Sequence, residues 1–231
     1  MTQRNPRIRA LLTESLVIVL SILAAFALDA YWGRRLEREA ELSYLEALRS
    51  DFTETAARIA ETVANEERAA TLAGRLLAGD QGTSSEELDQ MLFDLWALPT
   101  LEPVAGAMDE IISSGQLRII RDDQLRAALA AWPADVEHYR RRESWAQDNW
   151  NYLIAPFIMR ELSLGQLASG LLGEIPGEAA PLDHSHLMRD RYFRNLVIHR
   201  WITTDDVLTA LRRLQARDEE ILGLLSGALS P

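Results

Sequence analysis

Between Leu11 and Trp32 the chain reads LLTESLVIVLSILAAFALDAYW. No other stretch limits its folding so strongly. As a helix, 22 residues at about 1.5 Å each cover roughly 33 Å, close to the ~30 Å hydrocarbon core of a bilayer. Arg4, Arg7 and Arg9 precede the run, and Tyr31, Trp32, Arg34, Arg35 and Arg38 close it. Tyr31 and Trp32 read as an interfacial aromatic belt, and Arg34 and Arg35 as charged anchors behind it. Two acids interrupt the run, Glu14 and Asp29. Both lie about one turn from an end, where a carboxylate can reach towards headgroups at a fraction of its mid-bilayer cost.

Ser21, Ala25 and Asp29 follow at i, i+4 and i+8, with Glu14 two turns earlier on a related face. Small residues at that spacing allow a second helix to approach closely. These four residues are the expected association face within the membrane. Ala25-Phe26-Ala27 fits a small-x-small cleavage pattern, but the run is long for a signal peptide and Glu14 is out of place in its apolar region. Asn151–Met159 and Ile221–Leu229 are apolar but too short to cross. The expectation is a single, uncleaved span. With three arginines on each side the positive-inside count is a tie. A short Arg-bearing tail is harder to translocate than a long domain, so an inward amino terminus and an outward body are favoured.

Charge separates the two parts. Residues 1–40 carry +2, and the remaining residues carry −13 of the net −11. An acidic body lacks the positive field that nucleic-acid binding requires. There is no cysteine, and all 24 basic residues are arginine. Disulfides, thiolate metal sites, cysteine nucleophiles, Schiff bases and a P-loop lysine are therefore excluded.

From Arg34 to Ala78 there is no proline. Leu45, Phe52, Ile59, Glu66 and Ala73 form one heptad column; Arg49, Ala56, Val63, Ala70 and Leu77 form another. Eight of the ten are apolar, which predicts a long helix with a narrow coiled-coil-like stripe. Arg49 and Glu66 weaken it as a self-pairing seam. The helix is expected to run on from the membrane segment, about 100 Å over Ala10–Ala78.

Further along, Gly79–Gly82 is a stop. Ser84 with Glu87 is a capping box for a helix through Leu98. A loop spans 99–103, and a short helix over 105–114 ends at Gly115 in a left-handed cap. Leu117–Ile120 reads as a brief extended link or turn. Asp122 caps a helix through Trp132, Pro133 opens another to about Leu162, and Pro156 kinks it. Residues 165–181 are glycine-rich and read as the flexible segment. A final helix or helix pair over 187–229 carries Phe193, Leu196, Val197, Val207, Leu208, Leu211, Leu214, Leu222, Leu225 and Leu229 on one face. Thr203 or Thr204 could re-cap it, but the stripe keeps its phase, which favours a kink over a break. That stripe is the natural partner for 45–77.

The fold expected is all-α: one N-terminal transmembrane helix continuing into a long juxtamembrane helix that packs in an antiparallel helical bundle. The divisions are a basic tail (1–10), the transmembrane helix (11–32), the juxtamembrane helix (33–78) and the rest of the bundle (79–231).

Two stretches carry a family resemblance. One is Glu14 and LAAFALDAYW (23–32), through Arg34-Arg35 and Glu39 to YLEALRSD (44–51). The other is AMDEIISSGQL (107–117), then Ile119-Ile120-Arg121-Asp122 and Leu125-Arg126. Together they resemble a family of bacterial single-pass, membrane-anchored, all-helical proteins of unknown function. The resemblance implies architecture and inner-membrane anchoring, and brings no ligand, activity or catalytic residue.

Chemistry is sparse. Asp183-His184-Ser185-His186 is the one cluster with metal-ligand character, to which His138 or His199 would have to add; it reads more simply as a polar loop capping the next helix. Paired carboxylates (86/87, 122/123, 205/206, 219/220) sit at expected helix starts or on solvent faces. Arg140–Arg142, beside Trp145 and Trp150, reads as a solvated face paired with Glu143 and nearby acids, the alternative being a patch for an anionic lipid head or an acidic partner. Trp132, Tyr139, Trp145, Trp150 and Tyr152 read as packing. No catalytic, cofactor or metal residue is assigned. The expected function is a non-catalytic scaffold or accessory subunit. Its partners are the bilayer and either another integral membrane protein or complex, or a second copy. The alternative is a membrane-anchored sensor with a ligand pocket in the bundle.

Overall fold

The computed structural model describes residues 6–79, 84–166 and 183–230, with side chains of the first helix described at Leu16 and from Ile18 onward. The glycine-rich expectation for 165–181 therefore lies almost wholly outside the described residues. All regular structure among the described residues is helical. The elements are α1 (Pro6–Ala78), α2 (Ser85–Trp96), α3 (Gly106–Ser113), a 3-10 turn (Gln116–Ile119), α4 (Asp123–Asn149), a π turn (Trp150–Ile154), α5 (Ala155–Glu161), a second 3-10 turn (His184–Arg189) and α6 (Arg191–Leu229). The long α1 packs antiparallel to α6, and α4 packs against α6.

The seam of α1 is a strict 3-4 alternation of buried positions: Glu41, Leu45, Leu48, Phe52, Thr55, Ile59, Thr62, Glu66, Ala69, Ala73 and Leu76. One expected column, 45–73, is correct. The other is displaced by one residue: Leu48, Thr55, Thr62, Ala69 and Leu76 are buried, whereas Ala56, Val63, Ala70 and Leu77 are half-buried and Arg49 is exposed. Scoring by hydrophobicity alone rejects Thr55 and Thr62. Both belong inside because their hydroxyls are satisfied there. Thr55 Oγ1 accepts from Val104 N at 3.0 Å, and Thr62 donates to the Arg58 carbonyl at 2.8 Å.

Two apolar clusters stack along the bundle. The first joins Leu45–Ile59 of α1 with Ile111, Ile120, Leu125, Leu129, Trp132 and α6 from Val207 to Leu225. Phe52 and Trp132 meet edge to face at 5.0 Å. The second joins Ala73 and Leu76 with α2, Phe157, Ile158, Leu187 and α6 from Phe193 to Val197.

Caps follow the sequence closely. Ser84 accepts from Glu87 N at 3.2 Å, while the Glu87 carboxylate turns to Arg75 at 2.8 Å rather than closing the box. Asp122 accepts from Gln124 N and Leu125 N. Gly115 has φ +67°, the left-handed region a Cβ disfavours.

Several expected boundaries need correction. Helix α2 stops at Trp96, two residues early, where the chain becomes extended towards Pro99. Of the two readings for Leu117–Ile120 the turn holds: a 3-10 turn spans Gln116–Ile119, and Ile120, its C-cap, is fully buried. Pro133 starts nothing, because α4 runs through it. It lies on the exposed face, where water can serve the carbonyl that its missing N–H abandons, while Leu129, Trp132 and Val136 hold the buried face. Helical backbone runs on through Pro156 to Glu161, close to the expected end at about Leu162, and its irregularity falls just before that proline. Pro156 has no N–H, and one residue earlier Ala155 N bonds back five residues to Trp150 O, making the π turn. The last helix begins at Arg191 behind a 3-10 turn and runs unbroken to Leu229. Thr203 and Thr204 are buried inside it rather than capping. Leu222 and Leu229, placed on its core face, are only half-buried.

Candidate functional site

The amino-terminal part of α1 lies outside the bundle. From Ile18 to Leu36 every side chain is exposed. The exposed residues include Leu16, Ile18, Val19, Leu20, Ile22, Leu23, Phe26 and Leu28, each at least half exposed. Consecutive positions on a helix point about 100° apart, so this surface is apolar around its whole circumference, not along one stripe. Its own chain supplies no cover.

Ser21, Ala25 and Asp29 are all exposed and share one face at 40° steps. The Glu14 side chain lies outside the described residues. Tyr31 and Trp32 meet edge to face with ring centroids 6.2 Å apart, and the Arg35 guanidinium sits 5.7 Å above the Trp32 ring. Arg34 donates to the Ala30 carbonyl at 3.1 Å, and Arg35 pairs with Glu39 at 3.0 Å. Aromatic and cationic groups are thus gathered where the apolar surface ends. Among the described residues no helix is long and apolar enough to cross a membrane. Within the run 11–32, side chains are described only at Leu16 and from Ile18 onward.

The bundle proper begins at Glu41, and polar groups of α1 organise that end. Buried Glu41 accepts from Arg121 N at 2.8 Å and pairs with Arg38 at 2.7 Å. Asp51 accepts from Ala107 N at 2.7 Å, capping α3 from a different helix, and the Tyr44 hydroxyl donates to Glu110 at 3.2 Å. The two stretches that carry the family resemblance therefore meet in space and form one structural joint.

Between the two apolar clusters lies a charged layer. Arg200 is 1% exposed. It donates to the carbonyls of Leu95 (3.0 Å) and Ala97 (3.1 Å) and to Thr204 Oγ1 (2.7 Å), and its guanidinium lies 3.1 Å from the Glu66 carboxylate. A cation at the carboxyl end of α2 also suits that helix's dipole. Burial pushes the Glu66 carboxyl above its ordinary range, against the pull of Arg200. The guanidinium stays protonated, as arginines in proteins do.

The histidine loop is structural. His184 is fully buried; its Nδ1 donates to Asp89 at 2.6 Å and its Nε2 accepts from Ser163 N at 3.3 Å. Gln166 also donates to Asp89. His186 is exposed and faces the Asp183 carbonyl, while Asp183 caps the turn through Ser185 N at 2.9 Å. The two rings do not converge, and among the described residues no group of three His, Asp or Glu is placed to hold a metal.

Arg141 pairs with a nearby acid as expected, Glu137 at 3.5 Å. Glu143 turns inward to accept from Tyr139 at 2.9 Å and Leu101 N at 3.1 Å. Trp132 and Tyr139 are core, Trp145 rests against His199 at 6.0 Å, and Tyr152 is exposed. Sequence reasoning missed Asp218, which is 1% exposed with neither carboxylate oxygen hydrogen-bonded. Its place on the buried face of α6 was the available signal.

No family model, curated protein or solved structure matches the chain.

Proposed function

We propose that this protein is a non-catalytic, membrane-anchored scaffold or accessory subunit, with residues 11–32 held in a bacterial inner membrane. The amino terminus faces the cytoplasm and the acidic bundle the periplasm. The observation that carries this reading is the fully apolar circumference of α1 between Leu16 and Leu28. Burying one Leu or Ile side chain is worth about 1.5–3 kcal/mol, so leaving this surface in water is strongly unfavourable. A single exposed stripe would point to one partner helix; exposure on all sides calls for surrounding lipid or several neighbours.

Within the membrane, Ser21, Ala25, Asp29 and Glu14 form the contact face towards another integral membrane protein, a larger complex or a second copy. Tyr31, Trp32, Arg34 and Arg35 fix the depth of insertion. The function follows from localisation: anchoring raises the effective concentration of the bundle near its partner. The test is native-membrane co-purification of the tagged full chain in mild detergent, with particle mass as readout. A stoichiometric complex that Asp29→Leu with Ala25→Leu disrupts supports the reading. A monodisperse single copy, or a full chain left in the supernatant after ultracentrifugation without detergent, overturns it.

A further inference from the structure

We infer that the end of the bundle next to the apolar segment binds the phosphodiester of an anionic phospholipid through Arg38 of α1 and Arg121, which follows the first 3-10 turn. One buried carboxylate holds both arginines. Arg38 Nη1 lies 2.7 Å and Arg121 Nε 3.3 Å from the same oxygen of Glu41, whose side chain is 3% exposed. The other Glu41 oxygen accepts from Arg121 N at 2.8 Å, which fixes the carboxylate. The two arginine side chains themselves are 41% and 57% exposed. A guanidinium carries five N–H donors. Beyond Glu41, neither side chain has an acceptor among the described residues. Two cations set side by side with spare donors match the two unesterified oxygens of a phosphodiester.

Charge isolates this pair. Along α1, Arg34 and Arg35 offset Glu37 and Glu39; around the turn, exposed Arg118 offsets the capping Asp122. Arg38 and Arg121 stand against Glu41 alone, which leaves one surplus positive charge beside a body that totals −13. The similar cluster around buried Asp135 is balanced. Asp135 holds Arg213 and Arg217, but Arg217 also pairs with Glu220 at 2.7 Å. An anion is therefore drawn to the Glu41 end and repelled by the acidic remainder.

Position selects a lipid as the source of the phosphate, a step that rests on the anchoring proposed above. Leu36, 63% exposed, continues the apolar surface one turn beyond Trp32. Arg38 follows it by two residues and Glu41 by five, about 3 and 8 Å along α1. Headgroups occupy roughly 5–7 Å outside each face of the hydrocarbon core. Helical side chains also lean towards the amino terminus, which here is the bilayer side. The two guanidiniums thus sit at headgroup depth, where anchoring gives lipid phosphates a far higher effective concentration than a free oxyanion.

The experiment uses the full chain in dodecyl maltoside, mixed with dioleoyl-phosphatidylglycerol or dioleoyl-phosphatidylcholine at equal mole fraction, and native mass spectrometry counts the bound lipid. The probes share their chains and a phosphodiester, and only phosphatidylglycerol carries a net negative charge. The wild type should bind phosphatidylglycerol about fivefold tighter, the preference given by one surplus charge at a membrane surface. Arg38→Gln with Arg121→Gln should erase that preference. Glutamine can still donate to Glu41, and an unchanged melting temperature shows that the variant is folded. Arg68→Gln with Arg212→Gln removes the same charge around Glu67, about 50 Å along α1 from Trp32, and should leave the preference intact. Should the first double variant melt early, Arg121→Gln alone carries the test and should cut the preference at least twofold. Equal binding of both lipids by the wild type, or a preference that survives loss of the arginines, overturns the proposal. So does displacement of the lipid by millimolar inorganic phosphate, which would make the ligand a free oxyanion. Anchoring is read separately: a chain that pellets with membranes but binds both lipids equally defeats this inference alone.

Discussion

The Arg200 guanidinium lies 3.1 Å from the Glu66 carboxylate, 134 residues away in the chain, in a charged layer between two apolar clusters. Such a pair is weak evidence for stability, because desolvating both ions offsets much of their attraction. It is strong evidence for register. Sliding α6 by one turn would strand a charge in either cluster, and would leave the Arg200 contacts to the Leu95 and Ala97 carbonyls unmade.

The cost of breaking the pair is the first expectation. Arg200→Met should lower unfolding free energy by about 3–5 kcal/mol, because it strands Glu66. Adding Glu66→Leu should restore a large part of the loss. Urea denaturation of the two singles and the double checks this, and additive effects would contradict it.

Asp218 should make stability fall as pH rises. Burial, with a smaller contribution from neighbouring Glu219, moves its carboxyl from 3.8 up to about 7 in the folded chain. The unfolded chain ionises near 3.8 and the folded chain resists until about 7. Between those values the folded state holds the extra proton, so this group's contribution is most favourable at the acid end and is lost through pH 7. Asp218→Asn should flatten the slope and raise the melting temperature at pH 8. Thermal melts from pH 4 to 8 provide the readout; identical profiles for both proteins would refute the assignment.

The buried His184–Asp89 pair should behave as a clamp, not a metal site. Both ring nitrogens are engaged. Zinc or a chelator should therefore leave the melting temperature unchanged. Asp89→Asn should cost about 1.5–3 kcal/mol, the range for hydrogen bonds to a charged group. A zinc-dependent rise in melting temperature would reverse the reading.

Removing residues 1–32 should leave the bundle intact, because the buried seam starts at Glu41. The shortened chain should unfold at the temperature of the full chain and stay in the supernatant without detergent. A molten truncated protein, judged by lost near-ultraviolet dichroism, would show that the exposed segment supports the core.

Gly115→Ala isolates backbone strain. An added Cβ would meet nothing within 4 Å, yet φ is +67°. The expected cost is about 1–2 kcal/mol, with no change in packing.

Much of the helical layout was legible because it is written locally. Ser84, Asp122 and Gly115 each act within a few residues, and a heptad needs only its own spacing. What escaped depends on partners far off in sequence. Glu66 looks like a defect in a stripe until Arg200 arrives from α6. Thr55 looks like a surface residue until Val104 N needs an acceptor. Pro133 is a helix starter by propensity, and only the packing of Leu129, Trp132 and Val136 on either side overrides it. The exposed segment was legible as apolar, but the surroundings of Ser21, Ala25 and Asp29 are not encoded in this chain alone.

Helix α1 runs from Pro6 to Ala78 without a proline in its interior or a left-handed residue. Mechanically it is a shaft, not a tether. Torque or tilt applied at the greasy tip is delivered to the Glu41–Leu76 gearing with no swivel in between, so whatever grips one end also sets the orientation of the other.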